Sequence, residues 1–357
     1  MRPIAAIHIG GRRISVNDPP YIIAEIGVNH DGKPELALEL TRIAHAAGAE
    51  AIKLQLFEAD RLMGKAAKLA AYQRAAGESD PIEMLRRLEL TIDQMAPVVA
   101  LAHELGLHAL VSIFSVELVP LAQQLAWDGY KTASPDIINK PLLDALAATG
   151  KPLVVSTGAS TIDEVVRAAK WLESAGARLC MLQCVSSYPT PIEQMALGGI
   201  EAICRATGVL TGYSDHTSLI EGGALAVGGR ALMLEKHLTY DRAAKGPDHA
   251  ASLDGDGFRA YCVAALGRYV GGGPQVAHER AKRVLDIEQD VRLVSRQSLT
   301  SVRNLPAGHT LTRDDLTIKR PGTGIAPFEM DAAVGRVLVA AVEADMPISW
   351  DQIRPCQ

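Results

Sequence analysis

Hydrophobic and polar positions alternate on two length scales along this chain. Short, continuous apolar runs occur at Tyr21–Val28, Ala51–Phe57, Leu107–Ser115, Gly129–Ser134, Pro152–Gly158, Arg178–Val185, Val209–His216 and Ala231–Leu238. Between them lie longer segments, such as residues 35–50 (ELALELTRIAHAAGAE) and 161–177 (TIDEVVRAAKWLESAGA). Their apolar residues recur three and four apart, and a glycine stands near each end. A strand that is apolar on both faces must be covered on both, so such runs joined by amphipathic helices predict a parallel sheet. Eight strand–helix units predict an α/β fold, a (β/α)8 TIM barrel, over residues 19–272. An open doubly wound sheet fits less well, because no G-x-G-x-x-G follows the first strand.

The flanks read differently. Residues 1–18 carry IAAIHIGGRRISV, a hairpin about Gly10-Gly11 expected to cap the N-terminal mouth of the barrel. The insert Glu58–Leu90, with AAKLAAYQRAAG, is expected to form an extra helical lid or interface element. Residues 273–289 read as a linker. Beyond it, 290–357 change to short strand-like pieces punctuated by Pro, Gly and Asp, which predicts a small β-rich domain.

Composition narrows the functional class. The 357 residues are 48% hydrophobic, and 36 Lys+Arg stand against 41 Asp+Glu, for a net charge of −5 with no block of one sign. That excludes the basic footprint of a nucleic-acid binder or a polybasic membrane patch. No apolar run approaches the ~18–20 residues of a membrane span, and the N-terminal stretch is too short for a signal peptide. Five cysteines without zinc-like spacing predict reduced, buried thiols. The expectation is a soluble cytoplasmic protein with no nucleic-acid or membrane partner.

In a (β/α)8 barrel, chemistry collects at the C-terminal ends of the strands. Polar residues gather at those ends: Glu25, Lys53, Gln55, Ser112, Lys131, Ser134, Ser156, Ser186, Tyr188, Ser214, His216, Glu235 and His237. A single strand-end serine is usually a turn residue. Lys53 and Lys131 differ, because an ammonium inside an apolar run needs an anionic partner. His216 and His237 end adjacent strands, where two imidazoles can share a metal and leave positions open for water and substrate. Alternation places Glu235 and His237 on the inner face and Lys236 on the outer one. The pooled chemistry is an anion clamp of Lys53, Lys131, Ser134, Ser156 and Ser214 beside a two-histidine metal site. Glu25, Glu235 and Asp248 could act as acids, bases or hydroxyl binders.

These segments resemble the sialic acid synthase family. YIIAEIGVNHDG (21–32), AIKLQLF (51–57), YKTAS (130–134), VVSTG (154–158), QCVSSYPTP (183–191), GYSDHT (212–217), LEKHLT (234–239) and GPDHAASL (246–253) look like its signatures. KRPGTGIAP (319–327) resembles its antifreeze-like (SAF) domain, so the resemblance covers nearly the whole chain. It implies a metal-dependent transferase that condenses phosphoenolpyruvate with N-acetylmannosamine and releases phosphate. The cofactor implied is Mn2+ or Mg2+ on His216 and His237. Phosphoenolpyruvate would lie against Lys53, Ser112, Lys131, Ser134, Ser156, Ser186 and Ser214. The sugar would meet Gln55, Asp136, Tyr188 and Asp248, with Arg320 delivered by the SAF domain of a partner subunit in a domain-swapped homodimer. Glu25 and Glu235 would handle protons.

Three stretches depart from the family pattern: Ser112-Ile113-Phe114-Ser115-Val116 after the third strand, Ser186 before the Tyr-Pro pair, and Asp136 in place of a Glu. They bear on the sugar, since legionaminic and pseudaminic acid synthases share the chemistry but take a 6-deoxy diacetamido sugar. Two other classes compete. A Schiff-base aldolase would use Lys53, Lys131 or Lys236 as nucleophile, which leaves the histidine pair without a role. A glycan-binding module carried by an inert barrel leaves the polar mouth unexplained.

Overall fold

The computed structural model describes residues 6–272 and 281–356. Strands β1 (Ala6–Ile9) and β2 (Arg12–Ser15) form the expected hairpin, with Gly10 and Gly11 both at positive φ in the turn. Eight parallel strands then close into a barrel. They are β3 (Tyr21–Glu25), β4 (Ala51–Leu56), β5 (His108–Ile113), β6 (Gly129–Thr132), β7 (Leu153–Ser156), β8 (Leu179–Cys184), β9 (Leu210–Asp215) and β10 (Met233–His237). Every predicted run contributes one strand, and β10 pairs with β3 to complete the ring.

Local signals set the helix ends. Helix α1 (Pro34–Ala47) starts with proline in its first turn and stops at Gly48, whose φ of 89° needs no Cβ accommodation. Helices α2 (Ala59–Leu62), α3 (Ala71–Ala75) and α4 (Pro81–Leu88) make up the insert after β4, so the expected helical element is present. Thr91 caps α5 (Ile92–Glu104), and its reciprocal partner is Gln94. Around the rest of the barrel run α6 (Val119–Ala122), α7 (Lys140–Ala148), α8 (Ile162–Ser174), α9 (Gly198–Thr207), α10 (Gly222–Gly228) and α11 (Gly255–Gly271). Among the described residues no helix is long and apolar enough to cross a membrane.

Two layers of core follow from the pleat. Outward side chains of the strands pack against the helices. Inward side chains of the lower halves, including Tyr21, Leu110 and Met233, pack against Ile7, Ile9 and Ile14 of the hairpin. The hairpin therefore plugs the N-terminal mouth, and each buried isoleucine contributes roughly 1.5–3 kcal/mol.

The C-terminal unit has its own core around Leu299, Leu311, Ile325, Leu338 and Ile348. Two short antiparallel pairs frame it: β11 (Ser298–Ser301) with β12 (Leu316–Lys319), and β13 (Val337–Leu338) with β14 (Ile353–Arg354). The expected boundary at 290 shifts. Helix α12 (Gln289–Ser295) buries Val291 and Val294 against Ala70 and Tyr72 of the insert, so it belongs to the barrel rim rather than to this core. The unit docks on the insert through backbone bonds from Arg320 N–H to the Leu62 carbonyl (2.9 Å) and from Gly64 N–H to the Arg320 carbonyl (2.9 Å). Part of the expected linker, residues 273–280, lies outside the described residues.

Candidate active site

Strand register decides which polar groups meet. Glu25 stands level with Lys53 on one side and His237 on the other, Ser112 is level with Lys131, and Ser214 is level with Glu235. In-register residues of parallel neighbours point to the same face, so these side chains converge inside the upper barrel. One pocket there is lined by fifteen of the predicted residues: Glu25, Lys53, Gln55, Ser112, Lys131, Ser134, Ser156, Ser186, Tyr188, Ser214, His216, Glu235, His237, Asp248 and Arg320.

The lysines find their counter-charges within the protein. Lys53 contacts Glu25, donates to Ser112 Oγ at 2.9 Å and lies 3.7 Å from Glu235 Oε2. Lys131 Nζ donates to Glu235 Oε1 at 3.0 Å, and Ser214 Oγ donates to the same oxygen at 2.8 Å. Burial alone would raise the Glu235 carboxyl, but the Lys131 and Lys53 charges outweigh it and hold the group well below the usual carboxylate range. Ser134 Oγ accepts the Gly158 N–H at 2.9 Å. Ser156 Oγ, Glu235 Oε2, His237 Nδ1 and Arg320 Nε are buried without a hydrogen-bond partner. These four polar atoms, with no hydrogen-bond partner in the protein, line one pocket.

The histidines suit a metal. His216 Nδ1 lies 2.8 Å from the Val185 carbonyl and Nε2 lies 3.3 Å from Ser214 Oγ; in the neutral ring with its proton on Nδ1, Nε2 would offer a lone pair. Burial, with the nearby His216, keeps the His237 pKa well below the ordinary value, so its ring stays neutral as a ligand must. The two ring centroids are 5.6 Å apart. Asp248, raised to about 6 by burial against the pull of His216, His249 and Lys53, lies 3.8 Å from His237 Nδ1. Among the described residues no group of three or more His, Cys, Asp or Glu could hold a metal ion.

One predicted residue falls outside the pocket lining. Asp136 is fully buried but does not line the pocket, whereas its neighbour Pro135 does. It falls in the 3-10 turn Ser134–Ile138 after β6. Burial pushes that carboxyl up to about 7, opposed by Arg320, Arg296 and Lys131. Arg320 lines this pocket, its guanidinium 5.8 Å from the Phe114 ring. Lys236 lies on the outer face as expected, close to Asp215 and Tyr261 in the helix layer.

Sequence reasoning missed the wall facing the histidines. Tyr72 and Gln73 of α3 and Met84, Leu85 and Leu88 of α4 line the pocket, and the Tyr72 ring packs tilted against Tyr188 with centroids 4.8 Å apart. A lone aromatic in an alanine-rich insert was the available signal.

The NeuB family matches residues 40–266, and the SAF domain matches residues 296–354. The chain belongs to the NeuB family. The N,N'-diacetyllegionaminic acid synthase of Legionella pneumophila is 34% identical over 340 residues, covering 93% of this chain and 94% of its own length. The N-acetylneuraminate-9-phosphate synthase of Mus musculus is 30% identical over 348 residues, covering 96% of this chain and 95% of its own. The crystal structure of the spore coat polysaccharide biosynthesis protein SpsE from Bacillus subtilis superposes with a TM-score of 0.85 at 26% identity, covering 99% of this chain and all of that one. The SAF match starts at 296, in line with the boundary set by the core of the C-terminal unit.

Proposed function

We propose that this NeuB-family protein joins phosphoenolpyruvate to an N-acetylated hexosamine of the N-acetylmannosamine type. Water is consumed, a 2-keto acid sugar forms, and phosphate leaves by C–O cleavage. The carrying observation is the convergence of Lys53, Lys131, Ser134, Ser156, Ser186 and Ser214 with the His216–His237 pair in one pocket. Two ammonium groups and four hydroxyls suit a ligand with both a phosphate and a carboxylate.

A divalent metal, Mn2+ or Mg2+, on His216 and His237 would polarise the open-chain aldehyde of the sugar. The other steps fall to the chain itself. Lys53, Lys131 and the serines hold phosphoenolpyruvate with C3 towards that aldehyde, so the C–C bond forms between pre-oriented atoms. Gln55, Tyr188, Asp248 and Arg320 surround the sugar. Glu235, ionised between Lys53 and Lys131, would receive the proton of the water that adds to C2 only as these lysines turn to the bound phosphoenolpyruvate. Glu25, against Lys53, serves the new hydroxyl.

One observation favours a second acceptor of the same class. The insert side of the pocket is apolar, with Leu62, Met84, Leu85, Leu88, Phe57 and Phe114. A 6-deoxy diacetamido sugar, as in legionaminate or pseudaminate synthesis, would bury its methyl groups there at about 0.8 kcal/mol per group.

The test is phosphate release from phosphoenolpyruvate with N-acetylmannosamine, its 6-phosphate, and 6-deoxy diacetamido sugars. Release should require one of these acceptors, should cease in EDTA and should return with Mn2+ or Mg2+. No release with any of them would overturn the reaction, and full activity in chelator would overturn the metal. Borohydride trapping of a substrate adduct would favour the aldolase.

A further inference from the structure

The connector leading into the C-terminal unit carries a buried carboxylate that the mechanism above does not use. Glu288, fully buried, is not among the residues lining the pocket. Its Oε1 accepts the N–H of Ala159 at 2.6 Å and the N–H of Ser186 at 2.8 Å, and its Oε2 accepts the N–H of Leu285 at 2.9 Å. One oxygen therefore ties the loop after β7 to the loop after β8.

Ala159 is held from both sides. Its φ of 49° is left-handed, which costs an L-residue roughly 1–2 kcal/mol. Its carbonyl accepts from Arg292 and, at 3.0 Å, from Arg296 Nη2. Arg296 also reaches the Pro135 carbonyl at 3.3 Å, beside Ser134, and Lys282 Nζ donates to the Cys184 carbonyl at 3.3 Å. The connector thus braces the ends of β6, β7 and β8, the three strands whose ends carry Ser134, Ser156 and Ser186.

Gly158, next to Ala159, shows what this bracing shapes. A Cβ built on Gly158 would lie 2.2 Å from Ser186 Oγ and 2.7 Å from Ser134 Oγ. The two hydroxyls close on the bare glycine and form a cradle at the pocket wall. Its width depends on the distance between the Gly158–Ala159 turn and Ser186. Glu288 bonds to both sides of that gap.

We propose that Glu288 is a positioning residue for the phosphoenolpyruvate site: it acts through Ala159 and Ser186 to set the spacing of the Ser134–Gly158–Ser186 cradle. This rests on the proposed function, which supplies the identity of the anion. Glu288 itself touches no substrate. A structural staple of the connector would affect folding and both substrates alike, whereas a spacer of the cradle acts on the anion alone.

The experiment uses the full chain with Mn2+. Glu288→Ala leaves two buried N–H groups without an acceptor and frees Ala159, and should raise the KM for phosphoenolpyruvate 10- to 100-fold with the sugar KM within twofold. Glu288→Gln keeps an oxygen for Ala159 and Ser186 and should stay within about threefold of wild type. Ala159→Gly in the Glu288→Ala background should recover about fivefold, because glycine takes a left-handed φ without strain. Should Glu288→Ala fail to fold, Glu288→Asp carries the same test. Its shorter carboxylate cannot meet both N–H groups at their present spacing, so the phosphoenolpyruvate KM must rise at least fivefold. Titration with inorganic phosphate reads the cradle directly, and Glu288→Ala, or Glu288→Asp in its place, should weaken that binding at least fivefold. Equal changes in both KM values, or phosphate binding unchanged in a folded variant, would overturn the proposal. A wild type that binds phosphate but does not consume phosphoenolpyruvate would overturn the reaction while leaving the cradle testable by titration. A wild type that does neither overturns both.

Discussion

Gly158→Ala perturbs the anion site by a single methyl. The backbone of Gly158 is not left-handed, so alanine is conformationally allowed and only collisions matter. The new Cβ would sit 2.2 Å from Ser186 Oγ, 2.7 Å from Ser134 Oγ and 3.1 Å from Cys184 Sγ, all ends of short side chains that can rotate away. The folding cost should stay within the ~1–3 kcal/mol typical of overpacking. Function should suffer more, because rotation turns both hydroxyls off the position they share. A hydrogen bond to a charged group contributes about 1.5–3 kcal/mol. Losing two removes roughly 3–6 kcal/mol of phosphoenolpyruvate binding, or about two to four decades in kcat/KM. Steady-state kinetics with each substrate varied in turn is the assay, with thermal denaturation as the folding control. The sugar KM should change less than threefold. A folded Gly158→Ala variant with unchanged kcat/KM for phosphoenolpyruvate would refute the cradle, and so would equal losses for both substrates.

The remaining predictions concern other parts of the molecule. Arg320→Ala should raise the sugar KM about 10- to 100-fold, the worth of one charge-assisted bond, with phosphoenolpyruvate binding by calorimetry unchanged; a larger effect on phosphoenolpyruvate would move Arg320 to the other substrate. The Asp136 carboxyl is raised to about 7 from an ordinary 3.8, so the folded state binds the proton more tightly than the unfolded chain. Stability should therefore fall as pH rises from about 4 to about 7 and level off above, by an amount on the order of a few kcal/mol. Asp136→Asn, neutral throughout, should flatten this part of the urea-midpoint profile; parallel profiles would show that Asp136 is not the titrating group. Ile14→Ala opens the hairpin plug and should cost about 2–5 kcal/mol by denaturant titration, with kcat per folded molecule unchanged because the plug lies at the opposite mouth.

The (β/α)8 barrel and most of the polar residues that line its pocket were legible in the sequence for one reason. Strands covered on both faces leave continuous apolar runs, and a charge inside such a run stands out because burying it needs a specific partner. Lys53, Lys131 and Glu235 are visible on that ground, and the period of two correctly separates His237 from Lys236. Helix ends were legible too, since caps and left-handed glycines act within a few residues. These signals are local, set by backbone geometry over one turn or one pleat.

What the fold alone decided are contacts between distant segments. Closure of β10 on β3 brought His237 level with Glu25, and strand register chose Glu235 as the partner of Lys131. Asp136, which the family resemblance assigned to the sugar, lies in a 3-10 turn and is not among the residues lining the pocket. Tyr72 on Tyr188, Arg320 beside Phe114, and Glu288 between Ala159 and Ser186 all join loops to loops. No periodicity encodes such pairs. They exist because barrel closure fixes the strand ends, and packing then selects which side chains can reach across.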